Sequence, residues 1–281
     1  MKRLGPVIIL IFALAIAVHY RIAGQVQNQG TFFTQLLYLP SGKYLKPAAF
    51  GYDLLLADFV YLWSIQYYGD PGFHPKLEYL RHTYDIVTEL DPNFLDAYQT
   101  GAFFMFYDMR NPKAGLELLD RGLERNPKEW IIAADAGFYC MMNLRDYSKA
   151  ADYFQKAADV PGAPQQARRM VASLKFRTGD RVQAYLIWKD IYETSTKASI
   201  KQVAYHHMHD LKILVDLDAL RAAIANYKKQ RQRLPLNLNQ LVAAGLIREL
   251  PVDPEGNEYL YDPTTGKVSS KAPVTLYKRY Q

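Results

Sequence analysis

Residues 145–164 read RDYSKAADYFQKAADVPGAP, and this stretch decides the fold. Asp146 and Tyr147 make a turn, after which Ala150, Ala151 and Ala157 are small and Phe154 is large. Residues four apart share a helix face, so Phe154 lies on the face of Ala150. Small residues at a crossing let two backbones approach, and a neighbouring ring fills the gap. The pattern recurs. Pro92, Pro127 and Pro161 close successive units at separations of 35 and 34 residues, the first two within the turn phrases Leu90-Asp91-Pro92-Asn93 and Arg125-Asn126-Pro127-Lys128. In the places of Ala150, Phe154 and Ala157 stand Leu80, Tyr84 and Val87 in a first unit, and Gly115, Leu119 and Gly122 in a second. A fourth unit has the turn Thr178-Gly179-Asp180, then Ala184, Trp188 and Ile191.

Two antiparallel helices in ~34 residues, with small residues where they cross and a proline near the end, resemble the tetratricopeptide repeat (TPR). The resemblance covers about 58–195. It departs in an enlarged loop at 69–75, in Gly115 and Gly122 where alanine is usual (each costing its helix ~1 kcal/mol), and in a fourth unit with Thr196 near the place of the closing proline. It implies a mainly α protein, a TPR-type α-solenoid whose concave groove binds an extended segment or a helix of a protein partner. The first helix of the second unit, about 94–107, carries Tyr98, Phe103, Phe104, Phe106 and Tyr107. These span most of the helix circumference and cannot all face one core stripe. Tyr98, Phe103, Phe106 and Trp130 are therefore the candidate partner-binding residues.

The chain has 281 residues, 49% hydrophobic and 14% aromatic, which is ample for a core and excludes wholesale disorder. Its 22 tyrosines suit helix crossings and binding surfaces alike. Lone Cys140 forms no disulfide within the chain and reads as a small buried hydrophobe. The net charge of +6 is partly local, since Arg221, Lys228, Lys229, Arg231 and Arg233 occur with no acid between them. A run of this kind is usually a solvated helix face. No nucleic-acid recognition motif accompanies it, and no nucleic-acid partner is expected.

Lys2 and Arg3 precede an uncharged run from Leu4 to Val18, which Tyr20, Ile22 and Ala23 extend around a snorkelling Arg21. Ala15-Ile16-Ala17 offers a signal-peptide cleavage site, but the apolar run continues past it and no polar region precedes it. The reading preferred is an uncleaved transmembrane anchor at 1–24. By the positive-inside rule its N-terminus is cytoplasmic and the bulk of the chain lies outside the cytoplasm, in the periplasm of a Gram-negative cell. A linker and cap helix follow at 25–57, with Pro47 opening a helix at about 48–68. Asp53 and Asp58 lie there among Leu54, Leu55, Leu56, Phe59, Val60, Leu62 and Trp63. Apolar residues on nearly all sides imply a helix covered by the first repeat or by a partner. The repeats occupy 58–197.

A long helix at 198–233 has no Gly or Pro over most of its length and is expected to cap the last repeat. His206 and Asp210 stand at i, i+4 on it, the spacing of two metal ligands on one face, but the HExxH pattern is absent. No metal and no cofactor is expected. The closing module, 234–281, includes LPLNLNQLVAAGLIRELPVDPEGNEYLYDPTTGKVSS. It is similar to the soluble part of type IV pilin-like and type II secretion pseudopilin proteins, with Leu234-Pro235, Leu238, Leu241, Leu250-Pro251, Asp253-Pro254, Gly256, Tyr259, Tyr261 and 262–266 in the matching places. Asn237 is expected to cap a short helix ended by Gly245, and 262–266 to turn a hairpin. About 200 residues of repeats separate this module from the N-terminus, so filament assembly is not carried over. Some pseudopilins bind calcium here; for Asp253 and Asp262 the preferred role is turn formation. The function expected is that of a non-enzymatic scaffold of the cell envelope, assembling or stabilising a pilus, secretion or other membrane complex. The alternatives are a permanent structural subunit of such a complex and a metal-dependent enzyme using His206 and Asp210.

Overall fold

The computed structural model describes residues 39–69 and 77–278, so the apolar run at 4–18 and most of the 69–75 loop lie outside the described residues. The described chain is mainly α, with eleven α-helices and one two-stranded sheet, and adjacent helices pack on each other as a helical-repeat fold requires. It forms two compact units, Met1–Pro127 and Lys128–Gln281.

The first unit contains α1 (Gly42–Ala48), α2 (Asp53–Gly69), α3 (Leu77–Leu90), α4 (Leu95–Tyr107) and α5 (Pro112–Arg125). The helix expected at about 48–68 begins five residues later, at Asp53, and a separate short helix, α1, precedes it. Pro47 occupies the last turn of α1, and the break follows where Phe50 and Gly51 take left-handed φ of 50° and 89°. Glycine adopts such a φ without strain, whereas Phe50 does not. Asn111 caps α5 by accepting the Ala114 amide at 3.1 Å. Asn126 Nδ2, in the turn after α5, donates to the Pro92 carbonyl at 2.8 Å, tying one closing turn to the preceding one. Arg81 to Glu117 (3.0 Å) and Arg121 to Asp85 add ion pairs between α3 and α5.

The second unit contains α6 (Trp130–Tyr139), α7 (Tyr147–Asp159), α8 (Gln165–Arg177), α9 (Arg181–Thr194) and α10 (Ala198–Arg231), then α11 (Asn239–Ala243) and the strands β1 (Leu260–Tyr261) and β2 (Val268–Ser269). A π-helical turn, Cys140–Leu144, ends α6, and Arg145 turns the chain at φ 56°. Asp146 and Asp180 then cap α7 and α9, accepting the amides of Lys149 and Gln183. The strands pair antiparallel, Leu260 with Ser269 and Tyr261 with Val268. One core runs from Trp188 and Ile191 through Leu211, Leu214 and Leu217 to Leu241, Tyr259 and Val268, so α9, α10 and the closing module share their apolar interior.

The three-place register read from the sequence is buried in all four units: Leu80, Tyr84 and Val87; Gly115, Leu119 and Gly122; Ala150, Phe154 and Ala157; Ala184, Trp188 and Ile191. Three of the buried rings pack against glycines. A Cβ at Gly137 would stand 2.7 Å from the Phe154 ring, one at Gly115 would stand 2.6 Å from the Phe106 ring, and one at Gly101 would stand 2.7 Å from Tyr84. These distances account for Gly101, Gly115 and Gly137: a ring occupies the space of each missing Cβ.

Alanine at Gly115 or Gly137 gains ~1 kcal/mol of helix propensity but overpacks the crossing at a cost of about 1–3 kcal/mol. Each variant is expected to lose on the order of 1 kcal/mol net, seen as a lower urea midpoint. Phe154→Leu is expected to restore part of the loss in the Gly137→Ala background and none of it in the Gly115→Ala background, as a double-mutant cycle will read.

Candidate protein-binding surface

The four residues singled out in the sequence separate in the structure. Tyr98 is fully buried, and its hydroxyl donates to the Pro92 carbonyl at 3.1 Å. Burial pushes that hydroxyl above its ordinary pKa, with Arg125 opposing. Phe106 is buried with its ring on Gly115. Both are core side chains, leaving Phe103, 46% exposed, and the partly exposed Trp130 at the start of α6.

Around Phe103 a continuous aromatic strip forms. Its ring lies 4.9 Å from Tyr107 and 5.8 Å from Phe104, and Phe104 lies 4.1 Å from Tyr68 of α2. The Tyr68 hydroxyl donates to Asp108 Oδ1 at 2.9 Å, and that bond raises its pKa. Phe103, Tyr107 and Tyr68 are exposed, while Phe104 beneath them is buried and fixes them in place. The same register returns in the second unit, where Phe138 and Met142 of α6 and the following π turn are exposed. Tyr68, Phe103 and Phe138 follow one another at 35-residue intervals on the first helix of three successive repeats, 37%, 46% and 45% exposed. Single exposed apolar side chains are ordinary; large rings recurring at the repeat period are a property of the repeat. Adding or subtracting one period from Phe103 would have found Phe138 and Tyr68 in the sequence.

The acidic and histidine residues of α10 do different work. Asp210 is buried, and its Oδ2 accepts the amides of Thr275 at 2.8 Å and Leu276 at 2.6 Å. His206 is exposed. The i, i+4 pair is thus divided between the tail and solvent. Among the described residues no group of three His, Cys, Asp or Glu side chains could hold a metal ion. Asp216, also buried, accepts the Tyr259 hydroxyl at 2.7 Å and pairs with Lys212. Burial and this carboxylate together push the Tyr259 hydroxyl far above its ordinary value. Asp253 accepts amides from Glu255 (3.0 Å), Asn257 (2.9 Å) and Ala272 (3.2 Å); burial opposes its ionisation, but these bonds prevail and lower its pKa. Asp262 accepts from the Thr264 amide and both threonine hydroxyls of its turn, which hold it at about 2. Both acids form turns with their oxygens turned onto their own backbone. The buried carboxylates on α10 were not legible as tail anchors, because their partners lie more than forty residues away.

No protein-family model matches the chain, and no curated protein matches it either.

His207 joins the tail to α9. Trp188 stacks on its ring at 4.0 Å and 6°, and the Tyr277 hydroxyl lies 2.6 Å from Nδ1. Burial, helped by Arg169 and opposed by Asp210, pulls its pKa from 6.5 down to about 4. A depressed histidine favours the neutral folded form, so this stability is fully present above pH 6.5 and is lost as pH falls from 6.5 to about 4. The amides of Leu276 and Tyr277 are expected to lose hydrogen-exchange protection across that window. In His207→Gln the loss in the same window is expected to disappear. Asp253 and Asp262, with lowered pKa values, contribute only toward its acid end and below.

Proposed function

We propose that this chain is a membrane-anchored, non-enzymatic scaffold that binds other proteins of the cell envelope through TPR-type repeats. The observation that carries the reading is the recurrence of exposed Tyr68, Phe103 and Phe138 at the repeat period. Amphipathic rings bury a large area with little loss of rotamer freedom, and they are enriched in the cores of protein interfaces. Each ring sits on a rigid helix, so little ordering accompanies binding. The apolar run at 4–18 behind Lys2 and Arg3 supports the anchor and its orientation, with the repeats outside the cytoplasm. The resemblance of the closing module to pilin-like proteins supports an envelope assembly, such as a pilus or secretion complex, as the setting. The module's role is to close the end of the second unit, as its shared core with α9 and α10 suggests.

The test is capture from native membranes with the full-length chain and with Phe103→Ala/Phe138→Ala. Both side chains are exposed, so the variant is expected to keep its thermal midpoint within about 2 °C, since surface substitutions change stability by only ~0.5 kcal/mol. Proteins captured by the wild type are expected to be lost from the variant. Retention of every one of them would remove the recurring aromatics as the binding surface.

A further inference from the structure

Among the described residues, none covers the outer face of α2. Its inner face, Ala57, Val60, Ser64 and Tyr67, is buried. Leu55, Phe59 and Leu62 form an i, i+4, i+7 stripe on the opposite side, with Phe59 62% exposed. At the break that separates α1 from α2, Phe50 stands 89% exposed and Tyr52 is exposed as well. α2 contains no lysine or arginine; its first acid, Asp53, pairs with Lys46 of α1 at 3.7 Å, and its second, Asp58, is exposed at the flank of the stripe, where a headgroup-level contact leaves it in water. On α1, exposed Tyr44 lies between Lys43 and Lys46, also exposed. Aliphatic and phenylalanine side chains bordered by tyrosine and lysine match the depth profile of a bilayer interface, with apolar groups innermost, tyrosine at the headgroups and lysine reaching outward.

We propose that the outer face of α1 and α2 rests in the headgroup region of a lipid bilayer. The proposal rests on the anchor reading of residues 4–18, and the length of chain between that run and α1 favours lipid as the occupant. The stretch 24–41 is 18 residues, which span at most about 60 Å. An anchored chain therefore keeps this face within about 60 Å of the membrane. The contact is along the surface and not through it. At 17 residues α2 is about 25 Å long, short of the ~30 Å hydrocarbon core, and its inner face is already taken. Among the described residues no helix is long and apolar enough to cross a membrane.

The experiment uses the full chain in nanodiscs of phosphatidylcholine with phosphatidylglycerol. Nitroxides are placed at Phe50→Cys, Phe59→Cys and, as a reference, Asp152→Cys on the exposed side of α7. Native Cys140 is fully buried and does not compete for label. Collision with dissolved oxygen, which concentrates in hydrocarbon, is compared with collision with a water-soluble nickel complex. The oxygen-to-nickel ratio at 50 and 59 is expected to exceed that at 152 by a factor of about five or more, because apolar solutes partition into lipid and hydrated ions are excluded. A ratio at 50 and 59 equal to that at 152, in chains that stay with the nanodisc, overturns the lipid contact and leaves the anchor standing. Labels reached by neither reagent mean that protein covers the face, a second copy or another chain, and overturn it as well. Chains that do not enter nanodiscs at all refute the anchor and the lipid contact together.

Discussion

Rings in place of missing Cβ atoms set the spacing of the helices. Where Phe154 meets Gly137, Phe106 meets Gly115 and Tyr84 meets Gly101, the aromatic side chain fills a volume that any other residue would occupy. The contact is mutual: the glycine weakens its own helix, and only the close approach that it permits offsets the loss. Interiors packed this densely do not slide by fractions of a residue. Each ring–glycine pair therefore fixes which turn of one helix faces which turn of the next. The capping aspartates and the turn-to-turn bond from Asn126 to Pro92 then fall at regular places along the chain.

That constraint explains what was legible in the sequence and what was not. The positions i, i+4 and i+7 in four units could be read because they depend on local helix geometry alone, and all of them are buried. The fate of the other aromatics could not be read so simply. Phe106 and Phe103 are three residues apart on one helix; one is core and the other surface because Gly115 stands opposite Phe106. Whether an aromatic is buried depends on what the neighbouring helix lacks, and a helical wheel of α4 alone does not contain it. Likewise Pro47, expected to open a helix, lies in the last turn of α1, a helix whose packing against α3, with Gly42 close against Glu89 and Ile86, depends on residues about forty positions away.

The end of the chain is held by a different kind of contact. Asp210 and Asp216 are carboxylates of α10 buried against the closing segments, and each accepts amides or a hydroxyl of residues remote in sequence, while buried Asp253 joins its own turn to the Ala272 amide within the closing module. Burying a charge is unfavourable unless it is fully hydrogen-bonded, and an apolar substitute would pack as well without specifying the register. Such anchors place 270–277 at one position along α10. They also couple the tail to the apolar core shared with α9, through the contact of Tyr277 with Phe176 at 4.1 Å and its bond to His207. The closing module is therefore a continuation of the helical core by polar means, even though its sequence reads as a separate piece.

Exposed apolar area separates the two kinds of surface that the fold carries. A fully buried Leu or Phe side chain contributes about 1.5–3 kcal/mol relative to exposure, so the face of α2 with Leu55, Phe59 and Leu62 leaves several kcal/mol of transfer free energy unrealised in water. The recurring rings on α2, α4 and α6 forgo less, because Tyr68 keeps its hydroxyl bonded to Asp108 and Phe103 leans on Tyr107. A surface that engages and releases partners must be tolerable in water when empty, and rings partly buried against their own helix meet that condition. The aliphatic and phenylalanine stripe of α2, more exposed and flanked by Asp58, does not, and suits a contact that is always made. The two surfaces thus differ in how much solvent exposure each can withstand: one is suited to intermittent recognition, the other to permanent cover.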